Sequence, residues 1–491
     1  MDPIRPGCYA IKSCLNGKYL TYQQSDSGGT IKASGVDVVD PRARFFVEPT
    51  VNKPPAPSDI LAHIRCSYNN TYWKLGWDDD YEDERCIFAD AEDRTLFRVR
   101  RFSKGGIKDY CQFYSEQFYH YYIVAGESHP LSGRLLQQPL KSIFGYDHRD
   151  GNYFLWISLE NQVVLPPRVC FRGDNGKYLC VPSTDGEEHS YVQFKSIDDN
   201  VYSSAMHTID TFGDGTIRIM SEAVKKYWRR GTIREQGSHH VKDGIWVDSD
   251  GTNRNDPDIL FQVLKHRDRI ALKSLGNNRY CKRLTLGTHG DVGAGDEGQN
   301  ILGAADEAIA DEALLELAGE PLQSRVIYDL EYHLADARVY DEKTVELEGK
   351  SDGGGSQSNK LHLKLDLMQQ STWTTTVTEK EAVQTVIKGK VPFMDSNGEL
   401  QLGKDDIIET IIWGESISHT LPKWEDYIVN PSSVTGTEEK VQVTATQCTY
   451  EVPFSYTQED TFKDGKEYDP IVYNDGLYRG VNYYHIKYGH V

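Results

Sequence analysis

The chain has 491 residues, which is enough for two to four domains of ordinary size. Only 38% of its residues are hydrophobic, while 30 are tyrosines and 42 are glycines, a composition typical of many short, half-buried strands. The formal net charge of −20 argues against nucleic acid as a partner and against passive attraction to anionic lipid.

The sequence carries no sign of export or of a membrane-spanning helix. No apolar run approaches the ~18 residues that such a helix needs, and the first residues, MDPIRPGCYAIK, lack a basic segment followed by an apolar one. Nine cysteines, an odd number without a CxxC pair, indicate free thiols in a reducing compartment. We therefore expect the chain to be cytoplasmic or nucleocytoplasmic as synthesised.

A short phrase, Asn-Gly-Lys-Tyr-Leu, stands at residues 16–20 and returns intact at residues 175–179. Looser copies lie at residues 69–73, 117–120, 225–228 and 277–281. The copies form two sets of three with a period of roughly 50 residues, and a fixed period of this kind marks a repeat architecture. The first two-thirds of the chain is therefore predicted to be a tandem of two threefold modules.

The chemistry of each repeat predicts short antiparallel strands. The apolar-polar segment 9–12 leads into an Asn-Gly turn, which is a strong hairpin signal because both turn residues need positive φ, and an aromatic strand follows. Three such units closing on one another form a β-trefoil. Tyr19 and Tyr178, which follow the two intact turns, are expected to point into the core.

Residues 40–49, 63–70, 169–179 and 214–219 resemble the amaranthin-type plant lectins. The resemblance implies two β-trefoil agglutinin domains, over residues 1–160 and 161–319. It also implies binding of glycans of the galactose or N-acetylgalactosamine type.

Sugar sites pair an aromatic platform with carboxylates or amides, because a sugar has an apolar C–H face and a rim of hydroxyls. The candidate carbohydrate-binding residues are Trp77, Asp78, Asp80 and Tyr81 in the first trefoil and Trp228, Arg229, Trp246 and Asp248 in the second. The first loop corresponds to the family's sugar-contacting loop, although Asp79 and Asp80 replace a Pro and an Asn of that pattern. In the second trefoil, an aromatic residue at a repeat position belongs to the core more often than to a sugar platform, and the sequence leaves both interpretations open.

From residue 320 onward the phrase disappears and long alternating segments rich in Thr, Val and Ser take its place. Residues 360–367 alternate polar and apolar side chains with a period of two, as an amphipathic strand does, and residues 371–378 and 440–446 continue this style. Residues 320–491 are therefore predicted to form an elongated antiparallel sheet, so that the whole chain is all-β.

Residues 383–413 read as an amphipathic hairpin around the turn 395–398, with arms close to the ~9–11 residues of a membrane-spanning strand. With a turn of even length, odd positions of the first arm share one face with even positions of the second. The predicted membrane-inserting residues are Val383, Ile387, Val391, Phe393, Leu400, Leu402, Ile408 and Ile412. Lys404 and Asp406 fall on the same face, where either a bulge near Gly403 or a position at the membrane interface accommodates them.

Residues 326–332, 390–393, 411–415, 440–454 and 476–482 resemble aerolysin-type β-pore-forming proteins. The resemblance implies that residues 320–491 form a pore-forming domain, fused to lectin domains that select the target. A homo-oligomer would then carry hairpins into the target membrane as one closed barrel, because a lone hairpin would leave its backbone edges unpaired in lipid.

Two other functions remain open. One is a non-lytic cytosolic lectin of stress or defence signalling whose last domain only drives assembly. The other is an enzyme with trefoil accessory domains, but the sequence has no nucleophile elbow, phosphate loop or HExxH, so we expect a protein without enzymatic activity or cofactor. No metal is expected either: residues 248–253 begin like a calcium loop, but Ile259 stands where the twelfth-position Glu belongs.

Overall fold

The computed structural model describes most of the chain. It covers residues 6–25, 28–50, 59–77, 85–90, 93–104, 107–115, 121–125, 131–138, 152–159, 162–181, 190–195, 202–234, 240–286, 299–318, 322–351, 360–380, 383–428, 440–463, 465 and 468–488. Within these ranges no helix has the length and apolar character needed to cross a membrane. The nine cysteines are free thiols, and seven of them are buried.

Twelve strands build the first domain. They are β1 (Gly7–Ser13), β2 (Tyr19–Ser25), β3 (Gly28–Gly35), β4 (Arg44–Pro49), β5 (Asp59–Cys66), β6 (Tyr72–Trp77), β7 (Arg85–Asp90), β8 (Phe97–Lys104), β9 (Ile107–Ser115), β10 (Tyr121–Val124), β11 (Leu135–Gln138) and β12 (Phe154–Ser158). A 3-10 turn, Pro41–Ala43, precedes β4.

The strand pairing of this domain is that of a β-trefoil. Strands β1, β4, β5, β8, β9 and β12 pair in that order, and β12 returns to β1, so six strands close a barrel. Three hairpins, β2–β3, β6–β7 and β10–β11, cover one end of the barrel and pair with one another through β7. The predicted fold of the first module is confirmed.

Thirteen strands build the second domain. They are β13 (Arg168–Val169), β14 (Phe171–Arg172), β15 (Tyr178–Cys180), β16 (Gln193–Lys195), β17 (His207–Thr211), β18 (Thr216–Ser221), β19 (Lys226–Arg234), β20 (His240–Ser249), β21 (Phe261–His266), β22 (Arg269–Ser274), β23 (Arg279–Leu286), β24 (Gln299–Asp306) and β25 (Leu314–Leu317). A one-turn helix, α1 (Tyr202–Ala205), and the 3-10 turns Pro257–Ile259 and Asp311–Ala313 lie between strands.

The second domain repeats the same plan. Its barrel contains β17, β18, β21, β22 and β25, and β13 and β14 together supply the sixth strand that closes it. The hairpins β15–β16, β19–β20 and β23–β24 form the cap, in which β24 pairs with both β16 and β20. The chain therefore contains two tandem β-trefoils, as predicted.

The repeated phrase matters because its second residue is left-handed. The φ angle at this position is positive in five described copies: Gly17 (69°), Asn70 (57°), Gly176 (72°), Lys225 (54°) and Asn278 (61°). In four of them the preceding Asn accepts a hydrogen bond at its Oδ1 from the backbone N–H two residues on, at 3.0–3.3 Å. Glycine and asparagine tolerate this conformation best, so the local turn chemistry fixes where each hairpin reverses.

The residues that follow the turn point inward. Tyr19 and Tyr178 are each 5% exposed and are therefore buried as predicted, but they pack in small clusters outside the barrel cores, and the cluster of Tyr178 includes residues of the third domain. The next residue in each described copy is buried almost completely: Leu20, Trp73, Leu179, Trp228 and Cys281 are at most 1% exposed. The fifth residue of the phrase therefore lies in the barrel core in each described copy.

A buried histidine lies in the core of the second trefoil. His207 is fully buried, its ring lies 4.9 Å from that of Trp228 and 5.9 Å from that of Phe171, and its Nε2 donates a hydrogen bond to the carbonyl of Leu179 at 3.1 Å. Burial disfavours the charged imidazolium and lowers the pKa of His207 from 6.5 to about 4.

We predict that the second trefoil loses stability as the pH falls from about 6.5 to about 4. Over this range the unfolded chain binds a proton at His207 that the folded chain does not, at ~1.4 kcal/mol per pKa unit, or about 3 kcal/mol in total. Thermal unfolding of wild type, His207→Gln and the control His266→Gln at pH 7 and pH 4.5 measures this. His207→Gln should lose less melting temperature on acidification than the other two proteins. An equal loss in all three would contradict the prediction.

The third domain contains longer strands. They are β26 (Leu322–Tyr332), β27 (Arg338–Ser351), β28 (Lys360–Thr375), β29 (Gln384–Gly389), β30 (Pro392–Met394), β31 (Leu400–Leu402), β32 (Ile407–Ile412), β33 (Ser416–Ile428), β34 (Lys440–Phe462) and β35 (Ile471–Tyr488). The 3-10 turn Leu334–Asp336 joins β26 to β27.

Strand β34 is the longest, with 23 residues, and spans roughly 75 Å at ~3.3 Å per residue. It pairs with β26, β27 and β35, while β35 pairs with β28 and β28 pairs with β33, all antiparallel. The pairing of β29 with β26 is parallel. The predicted elongated sheet is thus confirmed, and it is antiparallel apart from this pair.

The first trefoil contacts the third domain through a buried carboxylate. Asp336 is 6% exposed and accepts hydrogen bonds from the hydroxyls of Tyr22 (2.7 Å) and Tyr68 (3.0 Å). Burial and the charge of Asp336 raise the pKa of both tyrosines, so both hydroxyls remain protonated donors. A second contact joins Asn70 to Glu451, which also accepts from Arg479.

The second trefoil contacts the third domain close to the start of the hairpin. The backbone N–H of Glu379 donates to the carbonyl of Val164 at 2.9 Å, and the Glu379 side chain forms an ion pair with Lys265. Apolar residues of both domains also share one cluster, and Val383 packs against it. The cluster contains Cys170, Tyr178, Cys180, Ala205, Met206, Ala318, Leu322 and Phe462. The two trefoils meet at the hydrogen bond from Val38 N–H to the Gly213 carbonyl, at 2.8 Å.

Candidate functional site

In the first trefoil, one aromatic residue of the predicted sugar loop is exposed. Trp77 ends β6 and is 54% exposed, and the guanidinium of Arg85, its partner across the hairpin, lies over the indole ring at 4.2 Å. Asp78, Asp80 and Tyr81 lie outside the described residues. The exposed indole suits the C–H face of a sugar, and the arginine supplies hydrogen-bond donors beside it.

In the second trefoil, Trp246 forms a half-buried platform on the hairpin β19–β20. The Tyr191 ring meets it edge-on at 5.9 Å. A Cβ on Gly231 would lie 2.9 Å from Cδ1 of Trp246, so the absence of a side chain there lets the indole approach the neighbouring strand.

A charged pair borders this platform. Arg229 is the cross-strand partner of Trp246, and its Nε and Nη2 donate to the two carboxylate oxygens of Asp248, at 2.8 and 2.5 Å. The hydrogen bond to Asp248 raises the pKa of Arg229, which stays charged. Among the described residues, the remaining N–H groups of Arg229 and lone pairs of Asp248 have no other partner and suit sugar hydroxyls. The structure thus brings together three of the four predicted residues: Arg229, Trp246 and Asp248.

The prediction for Trp228 is wrong. This residue is 0% exposed and packs in the barrel core against Phe171, His207 and Phe261. A strand alternates its side chains between two faces, and Trp228 takes the inward one.

The two trefoils share an arrangement that sequence reasoning missed. In each, the second hairpin of the cap places a tryptophan directly opposite an arginine: Trp77 with Arg85 on β6–β7, and Trp246 with Arg229 on β19–β20. The signal lay in the hairpin register, which pairs residues that are distant in sequence. Arg85, Tyr191 and Gly231 join the candidate set on this ground.

The third domain contains the predicted hairpin, but its register differs from the prediction. Strand β29 pairs with β32 through Thr385↔Ile411 and Ile387↔Glu409, and Pro392 pairs with Leu402 at the tip, so even positions lie opposite even ones and odd opposite odd. The turn between β30 and β31 has an odd number of residues, which accounts for the change. Asp395 closes this turn by accepting from the backbone N–H groups of Asn397 and Glu399 at 2.9 Å.

The first arm buries the face that the alternation predicted, whereas the second arm buries the opposite one. Ile387 is 0% exposed, and Val383 and Val391 pack against the core clusters. On the second arm the core side carries Ile407 and Ile411. Ile408 and Leu402 are 72% and 37% exposed, so their predicted place on the buried face is wrong, and Ile412 shares the face of Ile408 because both are even positions of β32.

The tip follows a different alternation from the arms. Pro392 and Met394 are buried, while Phe393 is half-buried, and Leu400 packs against the core cluster. Lys404 and Asp406 lie in an exposed bend between β31 and β32, where Gly403 N–H donates to the carbonyl of Val391 at 2.9 Å. The pairing is interrupted here, as expected for the bulge considered near Gly403.

An aromatic cage holds the base of the hairpin. The ammonium of Lys380, just before β29, lies 3.8 Å from the ring centre of Tyr473, 5.3 Å from that of Tyr456 and 5.7 Å from that of Trp413, just after β32. The Nζ of Lys380 also donates to Gln458 Oε1 at 2.7 Å. Both ends of the hairpin therefore meet on the same two tyrosines of β34 and β35.

No group of three or more His, Cys, Asp or Glu residues suited to a metal ion occurs among the described residues.

Comparisons with known proteins give structural neighbours only. No family model and no curated protein sequence matches the chain. The solved structure of the Macrolepiota procera ricin B-like lectin (MPL) in complex with lactose matches 32% of this chain and 98% of its own, with 10% identity and a TM-score of 0.24. The hemolytic lectin CEL-III matches 99% of this chain and 93% of its own, with 10% identity and a TM-score of 0.26.

A mosquitocidal holotoxin matches 99% of this chain and 52% of its own, with 9% identity and a TM-score of 0.28. The trefoil-plus-elongated-sheet fold is established by the strand pairing itself, and at these TM-scores the likenesses add no argument about function.

We predict that Lys380 clamps the hairpin base. Lys380 is half-buried, and cation–π contacts are worth about 1–2 kcal/mol between the exposed and desolvated limits, so Lys380→Met should let the hairpin open about five- to thirtyfold more often. Amide hydrogen exchange at Ile387 and Ile411 measures the opening. The matched control is Lys388→Met, which removes an exposed lysine of β29. Equal exchange rates in the two variants would show that the cage does not restrain the hairpin.

Proposed function

We propose that this chain is a glycan-binding protein that assembles on a target membrane and inserts the hairpin of its third domain as part of a β-barrel pore. The observation that carries the proposal is the hairpin itself. Its arms, β29 and β32, bury one mainly apolar face on the third domain, and the base of both arms lies at the Lys380 cage. Hairpins of this kind are soluble while packed and need a new apolar environment once released.

The physical requirement for assembly follows from backbone hydrogen bonding. A released hairpin would leave two unpaired edges in hydrocarbon, at several kcal/mol for each unsatisfied group. Hairpins from several chains satisfy these edges by closing a barrel. The partners of the chain are then other copies of itself, the membrane and the glycans that gather the copies.

In the proposed pore, we derive the two faces of the hairpin from the register of its packed form. The side that contacts lipid carries Val383, Ile387, Val391 and Ile411, and the side that contacts the pore carries Lys388. This assignment replaces the earlier one for the second arm.

The trefoils supply the target. Each holds one tryptophan–arginine pair on the same hairpin of its cap, and two sites on one chain, multiplied over neighbouring chains, turn weak single-site affinity into avidity. Ligands of the galactose or N-acetylgalactosamine type are proposed from the resemblance to amaranthin-type lectins. A role in plant defence rests on the same resemblance.

One observation favours a second function. Glu409 lies directly opposite Ile387, on the face that would contact lipid, and a charge there opposes insertion. A non-lytic lectin, whose third domain serves assembly alone, has no such difficulty. Conductance measurements separate the two functions.

We predict that Trp246→Ala and Trp77→Ala each weaken glycan binding by about tenfold or more, because truncating an aromatic anchor typically costs at least 1–2 kcal/mol. Titration of each variant with galactose-terminated glycans, after a glycan array has identified a ligand, measures the effect. Tyr280→Ala, on the third hairpin of the second trefoil, serves as the control and should bind like wild type. Wild-type affinity in both tryptophan variants, with unchanged melting, would exclude these platforms as the sugar sites.

We predict that a disulfide between β26 and β29 blocks conductance and leaves glycan binding intact. Val326 and Val386 are neighbours in the parallel pairing, and a Val326→Cys/Val386→Cys variant would tie the first arm to the sheet. Planar-bilayer currents should be absent in the oxidised protein and return on reduction. The control, Glu346→Cys/Thr444→Cys, joins β27 to β34, neither of which pairs with a hairpin arm, and should conduct in both states. Full conductance by the oxidised β26–β29 variant would exclude this hairpin as the inserting segment.

A further inference from the structure

A cavity of about 830 Å³ lies between the hairpin tip and the long strands of the third domain. Three segments line it: Leu367 and Gln369 of β28, residues 393–396 of the tip, and residues 482–487 of β35. Its volume falls within the ~300–1,000 Å³ of small-molecule sites. The cavity belongs neither to the trefoil platforms nor to the aromatic cage.

The inner walls of the cavity are apolar. Met394 is 4% exposed, and Leu367 and Ile486 pack against a small cluster whose centre, Leu365 and Val443, is fully buried. The cavity thus separates the core beneath the hairpin from this cluster. Walls of this chemistry suit a hydrocarbon chain.

The charges along the cavity favour an anionic head group. Asp395 is committed to the turn, because its carboxylate accepts from two backbone N–H groups and from Nε2 of Gln401, each at 2.9 Å. His485 and Lys487 are exposed on β35 and line the same cavity. A carboxylate or phosphate near these two residues would find a cation.

We propose that this cavity binds a single-chain anionic amphiphile of the fatty-acid class. The chain lies between Leu367, Phe393 and Ile486, and the carboxylate lies beside Lys487 and His485. Nothing in the lectin or pore proposals requires such a ligand.

The site exists only while the tip is in place, because Phe393–Ser396 form one of its walls. The tip is held by Tyr450, whose hydroxyl donates to the Pro392 carbonyl at 2.8 Å, and by close packing of Gly398 on the Tyr484 ring. A ligand that binds only this form stabilises it, and at 100 times its Kd it lowers the opening equilibrium about 100-fold. This effect of the ligand on hairpin opening rests on the proposed function. The binding of the ligand to the cavity does not.

The test uses the full chain in the absence of membrane. Titration with 11-(dansylamino)undecanoic acid below its critical micelle concentration should give saturable fluorescence that dodecanoate reverses. Dodecanol and dodecyltrimethylammonium should compete at least tenfold more weakly. Leu367→Trp and Gln369→Trp, which fill the cavity from β28, should remove binding, and two such variants guard against a folding defect in one.

A matched pair of lysine variants tests whether the carboxylate of the ligand lies beside Lys487. Lys487→Glu should weaken dodecanoate binding at least tenfold, while Lys18→Glu, at an exposed lysine of the first trefoil, should leave it unchanged. The site is refuted if binding is not saturable or if both tryptophan variants, with native melting, bind like wild type. It is also refuted if the cationic amphiphile competes as well as dodecanoate.

Hydrogen exchange at Ile387 with saturating dodecanoate tests the consequence for the hairpin. Slower exchange supports it, and an unchanged rate in a protein that binds the probe overturns the link to opening. Because neither measurement involves a pore, a negative result here is distinguishable from failure of the pore-forming proposal.

Discussion

Hydrogen bonding along strand β34 is the interaction on which the rest of the third domain depends. Its backbone pairs with three other strands, and its side chains reach each remaining part of the molecule. Glu451 contacts the first trefoil, Tyr456 helps to hold the hairpin base, and Phe462 packs against the second trefoil. A single long strand therefore contacts both trefoils and the base of the hairpin.

The trefoils could be predicted because their specification is local. A left-handed second residue, which follows an Asn in four of the five described copies, fixes the hairpin turn, and the fifth residue of the phrase points into the barrel core. The same phase would have placed Trp228 correctly, since it occupies the position of Leu20, Trp73 and Leu179. Residue type alone could not show that Trp228 is a core residue and Trp246 a surface platform, because both lie close to an arginine in the sequence or across the hairpin.

The hairpin shows where sequence reasoning reached its limit. Its existence followed from alternation and from an Asn-Gly signal, but its register depended on the length of the turn, which Asp395 sets through two backbone hydrogen bonds. A change of one residue in the loop exchanges the faces of one arm. The contacts between domains could not be predicted from the sequence either. Partners such as Tyr22 and Asp336 are 314 residues apart, and no local sequence pattern indicates that they meet.

The parallel pairing of β29 with β26 has a consequence for neighbouring molecules. In the proposed release of the hairpin, the backbone of residues 325–327 would lose its partner on that side and become an open strand edge. An open edge accepts any extended segment of suitable register, including the released arm of an adjacent copy. Opening in one molecule would thus create a docking place for the next, so that rearrangement spreads by contact from chain to chain.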